Sequence, residues 1–324
     1  MTAAQDRKTG LWHRHAWIAY LAAFVGVLGH ASSEFVARII ANNAPISGPE
    51  ISVWRFFLGG LGLVAVAMLF PASRDLAAPL RKHGVTLVLF SLFGVAGAYL
   101  FFHWALDYAT VPQVATVVTT IPIFVGLVNL HANKVAIGMA KIISGLGAVA
   151  GVAFLFTDGA VLALAGDAAN LIGIVMAIVC AILVSAYVVL IKPIIAAFGA
   201  LRVTAITMFL GGLALWVGVG LLFGHWVAFW TLGDLAAPAM IGIAAIALYN
   251  TTLTQWLWIG GLAAVPDITR GSYLFFLKPV IAAFLATVFL GTRLSLWQVL
   301  AILVICGAVA AEALIGHYAT ARRQ

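Results

Sequence analysis

Charge is what this chain most lacks. Lysine, arginine, aspartate and glutamate together make up 8% of its 324 residues, against about a quarter in soluble domains, so a water-soluble globule is excluded. Cysteine is scarce as well. Cys180 and Cys306 both fall inside apolar runs without a metal-ligand partner at a useful spacing, which leaves no disulfide framework and makes small-residue packing their reading. No Gly-rich, Lys-containing nucleotide motif occurs, nor His-Glu-x-x-His, nor Gly-x-Ser-x-Gly, so the chain is read as no enzyme and as carrying no metal and no cofactor.

Present in place of charge is a 64% apolar composition, arranged as continuous runs of about 20 residues with short polar punctuation. Continuous rather than alternating runs exclude a β-barrel. The runs lie near residues 16–40, 50–70, 84–106, 111–130, 137–157, 168–191, 202–223, 236–260, 265–290 and 296–316. They predict an all-α integral membrane protein of ten transmembrane helices. The first run follows Arg7, Lys8 and Arg14 but continues to Ile40 and carries Glu34 and Arg38, so it is read as an uncleaved helix rather than a signal peptide.

A net charge of +7 would suit nucleic acid if it were clustered on one surface, but its distribution marks one side of a bilayer. With the N-terminus inside, Arg74, Arg81, Lys82, Lys134, Lys141, Lys192, Arg202, Arg322 and Arg323 fall on cytoplasmic segments, and Arg293 falls in an outer loop. By the positive-inside rule the tails 1–15 and 317–324 are cytoplasmic, in a cell (inner) membrane.

A weak internal repeat runs at an offset of 154 residues. Trp104 and Pro112 are matched by Trp258 and Pro266, and Arg38 by Lys192. Pro122 and Pro279 sit in the middles of the fourth and ninth runs, slipped by three residues from that register. Five helices per half is an odd number, so two halves, 16–158 and 167–316, would enter the membrane in opposite senses as inverted five-helix repeats, with Pro122 and Pro279 as helix breaks.

Several stretches carry a family resemblance: Trp54-Arg55-Phe56, Ala105-Leu106-Asp107-Tyr108-Ala109, Leu277-Lys278-Pro279-Val280, Phe289-Leu290-Gly291 and Gly307-Ala308-Val309. Through them the chain resembles the drug/metabolite transporter superfamily, as a tandem pair of EamA-type repeats. Where that family often continues Leu-Gly with Glu, Thr292-Arg293 follows here. The resemblance implies a two-repeat carrier that moves small metabolites, often outward, by secondary transport.

Charged residues within the runs are the candidate functional groups, because an ionised side chain in hydrocarbon costs a few kcal/mol and is usually retained for a task. Glu34 and Arg38 share a helix face at i, i+4, and Arg55 lies at similar depth on the second run. Together they form either a clamp between the first two helices or a gate and proton-coupling site. Asp267 and Arg270, at i, i+3, are expected to pair locally. Lys278 has no acidic residue three or four positions away, so its partner comes from another helix, with Glu312 on the tenth available, or from substrate.

Asn250, Tyr249, Tyr99, His103, Thr119 and Trp104 supply an amide, hydroxyls and rings at comparable depth. With Lys278 they describe a midplane cavity for a small organic anion or zwitterion such as an amino acid. Export of hydrophobic or cationic drugs, and a non-transporting membrane partner protein, are the alternative readings. The expected partners are a small-molecule substrate, the lipid bilayer and protons as a candidate coupling ion, with no nucleic acid. Monomer and homodimer both remain open.

Overall fold

The computed structural model describes residues 16–109, 111–157, 168–290 and 293–321, and among them there are helices and no strands. We label the long helical segments α1 Ala16–Asn43, α2 Gly48–Leu69, α3 Ala77–Ala105, α4 residues 111–133 and α5 Met139–Thr157. The rest are α6 Ala168–Leu190, α7 Ala200–Phe223, α8 Ala237–Ala264, α9 residues 268–290 and α10 Leu296–Ala321. A short helix, Lys192–Phe198, joins α6 to α7. Eight segments among the described residues are long and apolar enough to cross a membrane, and Met139–Leu155 and Leu296–Glu312 are shorter apolar stretches.

Local chemistry sets the ends. Glu50 closes a capping box on Ser47 at the start of α2, where Pro49 occupies the first turn and so wastes no amide. The largest departure from the sequence expectation is the start of α3, at Ala77 rather than near 84. The helix extends beyond the apolar run through exposed Arg81 and Lys82 and kinks at His83 (φ −132°, ψ 29°), because helical hydrogen bonding does not require lipid.

Four interruptions fall at matched chain positions. α3 widens into a π-helical segment at Phe90–Gly97 and α8 does the same at Ala245–Leu253, starts that differ by 155 residues. α4 breaks at Thr119–Thr120, and α9 tightens into a 3-10 turn at Tyr273–Leu277, starts that differ by 154. In α8 the wide turn lets Thr251 and Thr252 donate to the carbonyls five residues back, Ile246 and Ala247, at 2.9 and 3.2 Å. Pro122 and Pro279 each stand at the second position of the helical piece after a break, Ile121–Asn133 and Lys278–Leu290, where proline costs no intrahelical bond.

The chain forms two compact units. One comprises Met1–Trp104 with Tyr187–Pro266, the other Ala105–Ala186 with Asp267–Gln324, so each draws on both halves of the sequence. In the first unit α2 and α7 cross at paired glycines. A Cβ on Gly60 would stand 2.6 Å from the Phe209 Cα, and one on Gly212 would stand 2.5 Å from the Phe56 carbonyl carbon. Lipid provides no hydrophobic drive between helices, so close backbone approach is what binds them. The core of the second unit gathers Ala148, Val152 and Leu155 of α5, Tyr273 and Phe276 of α9, and Ala301 and Ile305 of α10.

Candidate substrate site and its polar framework

In the first unit a polar network joins α1, α2, α3 and α8. Arg55 is 2% exposed. Its Nε donates to Thr251 Oγ1 at 3.1 Å and its Nη2 to the Asn250 carbonyl at 3.3 Å. The guanidinium carbon lies 5.0 Å from the centre of the Phe56 ring and 5.6 Å from that of Tyr99. A delocalised cation tolerates such a site because the ring faces are electron-rich, a contact worth about 0.5–2 kcal/mol.

Asn250 is fully buried. Its Nδ2 donates to the Gly29 carbonyl at 2.6 Å and to Ser32 Oγ at 2.8 Å. A carbonyl can only accept, which fixes the orientation of the amide. Asn250 Oδ1 is buried without a hydrogen-bond partner among the described residues.

Tyr99 ties the network to α3. Its hydroxyl accepts from Gln255 Nε2 at 2.8 Å and its carbonyl from Ser52 Oγ at 3.0 Å. Ser52 Oγ also lies 2.6 Å from Nδ1 of the buried His103. Trp104 packs edge-on against Phe223 with centroids 5.0 Å apart. Tyr249, next to buried Asn250, is 42% exposed.

The second unit holds Lys278, Thr119, Pro122 and Pro279. Lys278 is 5% exposed, with Nζ 5.6 Å from the Phe275 ring centre. It begins the helical piece that follows the 3-10 turn of α9. Thr119 donates its hydroxyl to Ala115 of its own helix at 2.6 Å.

The expected Asp267–Arg270 pair does not form between side chains. The Asp267 carboxylate instead caps the start of α9 by accepting the Arg270 backbone N–H at 3.2 Å, and it pairs with Lys141 of α5. Burial pushes the Asp267 carboxyl up, but hydrogen bonding and charge from Lys141, with the N–H and guanidinium of Arg270, outweigh it and hold the group below its usual range. Arg270 Nε reaches both oxygens of Glu312 at 3.1 and 3.2 Å. Glu312, considered in sequence as a partner for Lys278, is thus engaged by Arg270. The reason is geometric: i, i+3 neighbours compete with better-placed groups on adjacent helices. The side chains of Glu34 and Arg38 lie outside the described residues, so the expected cluster of these two with Arg55 is represented here by Arg55 alone.

Sequence reasoning passed over Ser52, Gln255, Asn129 and Thr269 as binding partners. A signal for Gln255 existed: Asn250, Thr251, Thr254 and Gln255 follow a helical i, i+1, i+4, i+5 pattern, a polar stripe in an apolar run, and apart from Asn250 it was not used.

The model of the EamA-like transporter family matches residues 17–157 and again 171–311. Among curated proteins none matches. One solved crystal structure of a protein superposes with a TM-score of 0.75 at 18% identity, covering 93% of this chain and 98% of its own, which establishes likeness of fold. The second match begins 154 residues after the first, the spacing of the paired tryptophans and of the α4 and α9 breaks. With apolar helices of membrane-crossing length in both repeats, the chain is a multi-pass membrane protein and belongs to the EamA-like transporter family.

Proposed function

We propose that the chain is a secondary transporter, working as an exporter of small metabolites that carry a negative group, such as amino acids or organic anions. It has ten spans in two inverted repeats, resides in a cell (inner) membrane with both termini cytoplasmic, and operates by alternating access. The observation that carries this reading is Lys278. A cation that is 5% exposed stands where α9 changes from a 3-10 turn to an α-helix, and interrupted helices are where such carriers place substrate. Transport is driven by an ion gradient or by exchange, since the sequence carries no nucleotide-binding motif.

Counterflow into proteoliposomes with a panel of amino acids, organic acids, nucleosides and cationic drugs tests the proposal. The expected result is saturable uptake of carboxylate-bearing compounds that Lys278→Ala reduces by at least about tenfold, as loss of a charged hydrogen bond predicts, without loss of folded protein. Uptake confined to permanent cations would overturn it.

A further inference from the structure

The first piece of α9, Ile268–Ser272, is five residues long. A helical turn of that length is not stable alone, so its contacts decide where it sits. Besides the packing of buried Ile268, three polar contacts hold it, each to a different helix. Lys141 of α5 pairs with Asp267. Glu312 of α10, 3% exposed, holds Arg270 through both oxygens. Asn129 of α4 donates to Thr269 Oγ1 at 3.3 Å. On the far side of Ser272 the character changes: Tyr273 and Phe276 are embedded among Ala148, Val152, Leu155, Ala301 and Ile305, and the Tyr273 hydroxyl donates to the Lys141 carbonyl.

We propose that the Lys141–Asp267 and Arg270–Glu312 pairs are a latch that pins the start of α9 to α5 and α10, and that their release lets this one turn swing about the 3-10 segment Tyr273–Leu277, directly ahead of Lys278. The proposal rests on the reading of the chain as an alternating-access carrier. Both pairs are hydrogen-bonded contacts to different helices, so a swing of the turn has to break them together, which separates an engaged state from a released one. A carboxylate as buried as Glu312 is strongly disfavoured without its cation, which makes the closed state the resting one until water enters. Short 3-10 segments within longer helices, with poorer hydrogen-bond geometry, often mark functional hinges.

The test uses the full chain in membrane vesicles, with Cys180→Ala and Cys306→Ala as background and Ser272→Cys as reporter, Ser272 being fully buried. The labelling rate of the introduced thiol with a water-soluble maleimide is the readout. Arg270→Gln and Asp267→Asn, the latter retaining the helix cap, should each raise it about tenfold, in line with a coupling of this size. The conservative variant Lys141→Arg, which keeps both the pair and the cap, should stay near the parent rate.

Unchanged labelling in both single variants would overturn the latch. So would an equal rise at a Ser52→Cys control in the other unit, because the pairs would then hold the whole fold rather than one turn. Labelling is scored without substrate. A latch signal from a protein that performs no counterflow would therefore discard the carrier reading and keep the latch.

Discussion

The π segments of α3 and α8 occupy matched positions and share the wide π-helical turn, yet their chemistry differs. Each is met by a glycine of the α2–α7 pair. A Cβ on Gly211 would meet Val95 of α3 at 2.5 Å, and one on Gly59 would meet Thr251 of α8 at 2.5 Å. At the 155-residue offset of the two segments, Val95 corresponds to Asn250. The α8 side binds Arg55 and the backbone of α1. On the α3 side Gly94 packs on Tyr187, whose hydroxyl meets Thr207 at 2.7 Å. The repeat supplies backbone shape twice, and the charged hydrogen-bond network among these groups belongs to the α8 side. Shape follows from small residues and wide turns that both copies share. Chemistry follows from single side chains free to diverge.

If the shape is common to both copies, overfilling either crossing should be equally damaging. Gly59→Val and Gly211→Val each place a Cβ 2.5 Å from a neighbouring side chain, Thr251 and Val95, with the backbone oxygens of Ala247 and Ser91 at 2.9 and 3.1 Å, a clash that pushes the paired segments apart at about 1–3 kcal/mol or more. Both variants should lose most of their folded, monodisperse yield in detergent. Loss in one and tolerance in the other would break the equivalence of the two crossings.

The polar difference predicts the next largest effect. Arg55→Ala removes at least the two hydrogen bonds and two ring contacts described above and leaves Thr251 and the Asn250 carbonyl short of a donor, a loss of about 3 kcal/mol. Thr207→Val on the other side removes one neutral partner of Tyr187, about 1 kcal/mol. Unfolding in SDS–detergent mixtures should order the two that way. Equal effects would mean that the α8 network adds nothing to what the α3 side already provides.

Much of this was legible in the sequence, because apolar run length and proline position are properties of the chain itself. Runs near 168–191 and 202–223 correspond to α6 and α7 within a few residues, and Pro122 and Pro279 each stand second in a helical piece, Ile121–Asn133 and Lys278–Leu290. Partner choice was not legible. Asp267 prefers Lys141, 126 residues away, and Arg270 prefers Glu312, 42 residues away, since three-residue spacing says who is near on one helix and nothing about which neighbouring helix presents a better-placed charge. The π segments were equally hidden: one extra residue per turn leaves no mark on composition, and the offset near 154 acquires structural meaning once the two wide turns are placed side by side.

The smallest expected effect separates the neutral bonds of the α8 side from the carboxylates of the second unit by pH. The Asp267 carboxyl is held below its ordinary value in the folded protein. Its contribution to stability is therefore fully present above the unfolded value of about 3.9 and is lost as pH falls through the lower folded value. The bonds from Arg55 to Thr251 Oγ1 and to the Asn250 carbonyl involve acceptors that do not titrate there. Unfolding measured in detergent from pH 6 to pH 3 should show Lys141→Met, which raises the Asp267 value back toward normal, with a shallower acid loss than the parent. Thr251→Val, which removes one of the neutral acceptors, should lower stability by a similar amount at every pH. Parallel curves for the parent and Lys141→Met would mean that the Lys141 pair contributes nothing to the depression, leaving the cap on Arg270 and its guanidinium as the source of the low value.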